Sequence, residues 1–215
     1  MSVTEVTPLE STPEAFNDLL QKVGVTTVKT VDVFSFDDPL PSPQHAVIMC
    51  FPNYTKVAEL LKPEYEATDA SNASNVFFAL QKIKNACGTF ALFNALANTT
   101  VDHGSGSFAK WLTQAKDKSP EERSDLLASD NELISAHENV AKSGKTDHSG
   151  NVQHHYVCYV NVGGKLFLVD SSGPFPLQVG TTTGETLVKD AGAACQGILS
   201  KLDNVSFAAL AVVPQ

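Results

Sequence analysis

The chain predicts one α/β domain, in the broad sense of that class, built on a mixed or antiparallel sheet. Three observations lead there. Helix-like and strand-like segments mingle along the 215 residues without the regular strand–helix rhythm of a parallel fold. Gly163-Gly164 separates two apolar runs at hairpin-turn spacing, which makes at least that pair antiparallel. The length suffices for one well-buried core and is short for two, so residues 1–215 read as a single domain.

Each element has its own signal. Ser11-Thr-Pro-Glu14 is a helix start, and the helix it opens is closed by Gly24. Residues 25–36 alternate and are rich in Val and Thr, which predicts a strand. His45-Ala-Val-Ile-Met-Cys-Phe51 is a short apolar run ended by Pro52, as in a buried central strand, and makes Cys50 a core thiol. From Cys87 to Asn98 nearly every side is apolar, the mark of a helix buried all round. Residues 107–118 and the stretch opened by Ser119-Pro-Glu-Glu122, a capping-box pattern, give two surface helices. Residues 143–153 are polar, glycine-bearing and aperiodic, hence a loop. Residues 186–202 form a helix with Cys195 on its apolar stripe, and residues 207–213 a buried strand.

Charge and cysteine usage bound the function. With 24 acidic against 15 basic residues the net charge is −9, a field that repels nucleic acid and anionic membranes and suits a cationic partner. No run reaches the roughly 18 apolar residues of a membrane span, and the first residues lack signal-peptide character. Four scattered cysteines without a CxxC pair point to a reducing compartment, the cytoplasm with the nucleus also open to it.

Two fragments carry chemistry: Gln81-Lys-Ile-Lys-Asn-Ala-Cys87, and the hairpin from His155 to Asp170. Together they supply a thiol, a base, a group to orient the base, and an oxyanion donor. Cys87 opens the buried helix, where the dipole favours a thiolate. Centring the turn on Gly163-Gly164 pairs Val162 with Lys165, Val157 with Asp170 and His155 with Ser172. His155 and Asp170 then share a face, while His154 and Cys158 point the other way, so parity selects His155 as the base. Asp170 would fix its tautomer, and Gln81 would donate to the oxyanion beside the backbone N–H of Cys87. Taken singly, each residue has a plainer role: core thiol, half-exposed strand histidine, turn cap, solvated amide. No metal or cofactor is expected, since strand alternation keeps His154, His155 and Cys158 from facing one ion.

At these residues the chain resembles the ubiquitin C-terminal hydrolase family of cysteine deubiquitinases. The glutamine six before the cysteine, Asn85-Ala-Cys-Gly-Thr89 and the His–Asp spacing of fifteen carry the resemblance, which extends over nearly the whole chain. It implies a largely antiparallel sheet of about six strands between helical layers, with a papain-like catalytic core. It further implies cleavage of small adducts from the C-terminal glycine of ubiquitin, or of a related modifier such as Nedd8, and a crossover loop over residues 133–152. Pro8, Leu9, Glu10, Asp32 and Phe207 match positions that meet ubiquitin. A non-catalytic ubiquitin-binding module of the same fold is the alternative. One departure stands out: Ser171-Ser172 follows the aspartate where the family usually has Gly-Arg.

Overall fold

The computed structural model describes residues 2–144, 154–202 and 207–215. It builds one sheet from β1 (Val28–Asp32), β2 (Ala46–Phe51), β3 (His155–Val162), β4 (Lys165–Val169), β5 (Leu177–Thr181) and β6 (Ala208–Pro214). Their order is β1-β6-β2-β3-β4-β5, and every neighbouring pair is antiparallel. The β3–β4 hairpin turns at Gly163 and Gly164, whose φ of 63° and 80° require the missing Cβ. Its register pairs Val162 with Lys165 and Cys158 with Val169, as the glycine-centred turn predicts.

Strand alternation splits the core in two. Ile48, Cys158, Val160, Leu210 and Val212 face one side, and Val47, Met49, Val157, Tyr159 and Ala211 the other. The first face is covered by α1 (Pro13–Lys22), α3 (Cys87–Ala97), α4 (Ser107–Ala115), α5 (Pro120–Ser129) and α6 (Asn131–Ser143). The second is covered by α2 (Tyr54–Ala67) and α7 (Leu187–Leu199), with Cys195 on the buried side of α7. Residues 88–96 of α3 are all buried, which its lack of any polar face requires. The capping box at Ser119 and Glu122 is formed. No helix among the described residues is long and apolar enough to cross a membrane.

Two expectations need correction. The strand expected over residues 25–36 is confined to Val28–Asp32, because the chain bends away from β6 and leaves Phe34 89% exposed. α2 and β5 were not anticipated. The crossover loop expected over residues 133–152 is helical as far as Ser143. There Asp130 caps α6, accepting from the N–H groups of Glu132 and Leu133. The buried stripe Leu133, Ala136, His137, Val140 and Ala141 then docks α6 against the helical layer. Residues 145–153 of that expected loop lie outside the described residues.

At one point the helical layer depends on glycine. Gly24 (φ 85°) and Gly106 cross so closely that a Cβ on Gly106 would stand 2.6 Å from the Cα of Gly24 and collide with the Val23 carbonyl oxygen. That oxygen accepts the N–H of Phe108 at 3.2 Å, tying α4 to the end of α1.

Candidate active site

The stretch before α3 is set by side chains of α3 itself. The buried Asn94 accepts the N–H of Ala79 at 2.8 Å and donates to its carbonyl at 3.2 Å. Asn98 repeats the arrangement on Phe77, at 2.8 Å in both directions. Two asparagines one turn apart thus act as a substitute strand edge and satisfy a backbone that no sheet reaches. Arg123, the chain's single arginine, clamps the same stretch: it donates to Phe78 O at 2.7 Å and lies 4.0 Å over the Phe77 ring. These bonds hold the backbone of residues 77–79, just ahead of Gln81.

Cys87 is the first residue of α3 and is half-buried. At that position its N–H has no intrahelical acceptor and is free for an oxyanion. His155, the first residue of β3, is 6% exposed, and Asp170, just beyond β4, is 1% exposed. His155 Nε2 lies 2.7 Å from Asp170 Oδ1. Because a carboxylate only accepts, Nε2 carries the proton of that bond, and Nδ1 remains for the thiol. Burial by itself would lower the ring's pKa. Hydrogen bonds to Asp170 and to Cys87, and the charge attraction of both, outweigh it and carry the ring to about 9. The imidazole is therefore protonated at neutral pH.

Asp170 is held from three directions. Oδ1 also accepts the Ser172 N–H at 2.8 Å, and Oδ2 accepts the Tyr54 hydroxyl at 2.8 Å. The Tyr54 ring packs on His155 with centroids 3.9 Å apart. Burial, then the charge of Asp170, pushes the Tyr54 phenol well above its ordinary range, so it stays a donor. Gln81 meets the same hairpin end. Its N–H donates to Ser171 O at 2.7 Å, its Oε1 accepts from Ser171 Oγ at 3.0 Å, and its Nε2 donates to Ile83 O at 2.9 Å.

Gln81, Cys87, His155 and Asp170 thus converge, with Tyr54 and Ser171 joining them. Neither of the latter pair was anticipated. The only hint for Ser171 was its place beside Asp170, and Tyr54 lies 116 residues from its partner. Leu9 is 5% exposed, packs in the core against the site of Gly88, and gives its carbonyl to the Tyr156 hydroxyl at 2.9 Å. Pro8 and Glu10 are half-buried. Asp32 is exposed at the end of β1, and Phe207 stacks on Phe36 at 5.9 Å. His137, which no role was assigned, is a core histidine. Its Nε2 meets Thr7 O at 2.7 Å, and its Nδ1 meets the Thr89 hydroxyl at 2.6 Å.

The family model described as ubiquitin carboxyl-terminal hydrolase, family 1, matches residues 6–200. A ubiquitin carboxyl-terminal hydrolase of Drosophila melanogaster is 34% identical over 218 aligned residues, covering 96% of each chain. The human ubiquitin carboxyl-terminal hydrolase isozyme L1 is 30% identical over 218, covering 97% of this chain and 98% of its own. The fold is similar to the catalytic domain of Trichinella spiralis UCH37, solved bound to ubiquitin vinyl methyl ester. There the TM-score is 0.78 at 23% identity, covering 98% of this chain and 96% of that one.

Proposed function

This chain belongs to ubiquitin carboxyl-terminal hydrolase family 1 and is a cysteine-type enzyme of that kind, and on that premise we propose that Cys87, His155, Asp170 and Gln81 perform its reaction on small adducts of the ubiquitin C-terminus. The observation that carries this reading is the 2.7 Å bond between His155 Nε2 and a buried Asp170, which leaves the other ring nitrogen to Cys87.

The sulfur of Cys87 attacks the carbonyl carbon of the terminal glycine. The oxyanion so formed is met by the second N–H of Gln81 Nε2 and the backbone N–H of Cys87. The protonated ring of His155 passes its Nδ1 proton to the leaving amine, the C–N bond breaks, and a thioester remains. Water, deprotonated by the now neutral ring, hydrolyses the thioester and frees the sulfur. Asp170 keeps Nε2–H pointed at itself throughout, which orients Nδ1 and stabilises the imidazolium.

Preference for small adducts rests on the short connection ahead of His155. With α6 ending at Ser143, eleven residues (144–154) lead to β3, a contour of at most roughly 40 Å at about 3.3–3.6 Å per residue. As a crossover loop of the kind the resemblance implies, a connection of that length would pass an extended tail but not folded ubiquitin, roughly 25–30 Å across by compact-domain scaling. The four free thiols suit the reducing cytoplasm or nucleus.

The test is exposure to ubiquitin, and separately to Nedd8, each carrying a C-terminal electrophile. A covalent adduct with ubiquitin that disappears in Cys87→Ala is expected, and no adduct would leave only a binding module. Diubiquitin should be cut far more slowly than a ubiquitin amide. Ten Gly-Ser residues inserted after Gly144 should speed diubiquitin cleavage at little entropic cost. Equal wild-type rates on the two substrates would reject the size filter.

A further inference from the structure

Asp170, Ser171 and Ser172 are consecutive, yet their contacts reach both halves of the machinery. Asp170 orients the base, and Ser172 N–H supports Asp170 at 2.8 Å. Ser171, 1% exposed, faces Gln81 with its carbonyl at 2.7 Å and its hydroxyl at 3.0 Å.

The hydroxyl contact bears on what Gln81 can do. A carboxamide has one acceptor end and two N–H donors, all in one plane, and only the correct edge-on orientation presents a donor to an oxyanion. Here one N–H is committed to Ile83 O at 2.9 Å. That bond alone is a pivot, about which the amide plane can swing and carry its free N–H off target. A second bond at the opposite end, from Ser171 Oγ to Oε1, removes the swing. The reversed amide would also set Oε1 against the Ile83 carbonyl, oxygen against oxygen. The two bonds therefore fix both the flip and the plane, leaving one N–H of Nε2 unspent. Preorganised donors matter because an oxyanion forms too briefly for them to search for it.

We infer that Ser171 is a positioning residue for the oxyanion hole, acting on the reaction only through the amide of Gln81. The inference rests on the reading of Gln81 as oxyanion donor. It adds a function for one of the two serines that replace the residues usual after the catalytic aspartate. The chain couples base and oxyanion donor through adjacent residues of one hairpin end.

A double-mutant cycle on the full chain tests this, with kcat and KM measured on a fluorogenic ubiquitin C-terminal amide. Gln81→Ala should lower kcat by about 10²–10³, the usual loss for one such donor. Ser171→Ala should lower kcat by about five- to tenfold and leave KM within about twofold. The double variant should be no slower than Gln81→Ala alone, within about twofold, because Ser171 has nothing left to position. An unchanged kcat in Ser171→Ala, or an undiminished loss on adding it to Gln81→Ala, would overturn the inference. Unchanged turnover in Gln81→Ala would instead overturn the oxyanion reading itself. Should Ser171→Ala fold poorly, Ser171→Cys, which keeps the volume and weakens the donor, enters the same cycle with the same criteria.

Discussion

Replacing His155 by Gln should remove a component of stability that is present in acid and absent in alkali. The folded chain holds the ring at about 9, against 6.5 for a free imidazole. A raised pKa means that the folded state binds the proton more tightly than the unfolded one. The stabilisation is therefore complete below about pH 6.5 and is lost as the pH rises through 9. A gap of that size corresponds to about 3 kcal/mol at pH 6, about 1 kcal/mol at pH 8 and almost nothing at pH 10. Solvent screening scarcely reduces it, since the ring is 6% exposed and its carboxylate partner 1%. The assay is urea unfolding at unit steps from pH 6 to 10, wild type against His155→Gln. The difference in stability should shrink by about 3 kcal/mol across the series. Asp170→Asn should remove most of the same component, and the double variant should add little, as expected for partners in one interaction. Repeated in a Cys87→Ser background, which removes the sulfur's contribution to the ring, the component should persist but be smaller. A difference that stays flat from pH 6 to 10 would show that the ring titrates as a free imidazole, and the role given to Asp170 would fall.

Three further outcomes are expected. His155→Ala should be nearly inactive on a ubiquitin amide and His154→Ala within about twofold of wild type; the reverse would place the base on the wrong strand parity. Tyr54→Phe should keep the ring on His155 but strip Oδ2 of Asp170 of its donor. Chemical unfolding should show a loss of about 1.5–3 kcal/mol, with turnover down by less than about tenfold and KM unchanged; a rise in KM alone would mark Tyr54 as a substrate contact. Gly106→Ala should lower the unfolding midpoint by an amount equivalent to about 1–3 kcal/mol or more, since its Cβ has no space against Gly24 and the Val23 carbonyl, while the folded fraction keeps its specific activity.

The parts that could be read from sequence are those governed by local periodicity. A two-residue period and a glycine turn determine the β3–β4 register, and with it the shared face of His155 and Asp170. α3 was readable because no other placement tolerates so apolar a segment. α2 was hidden by Pro63 in its interior and by having only two fully buried residues, Val57 and Leu61. The stripe of α6 was hidden because two of its five buried residues are alanine and one is a histidine that reads as polar. Leu9 sits in an extended stretch without periodicity, so nothing local separates a core side chain from a surface one. Tyr54 and Ser171 act through contacts 116 and 90 residues away in sequence, and only the closed fold brings these together.

The place of β6 bears on biosynthesis. It lies between β1 and β2, and among the described residues β1 pairs with β6 alone. The ribosome delivers this strand after every other strand of the sheet. Until residues 208–214 emerge, β1 is left without a ladder and β2 offers one open edge, the kind of template on which nascent chains pair with one another. The thiol, its base and the hairpin exist by then, but the sheet that holds them is split. A premature stop just ahead of Phe207 would thus not trim a tail. It would release β1, and Asp32 with it, and hand quality control a chain with an exposed β2 edge.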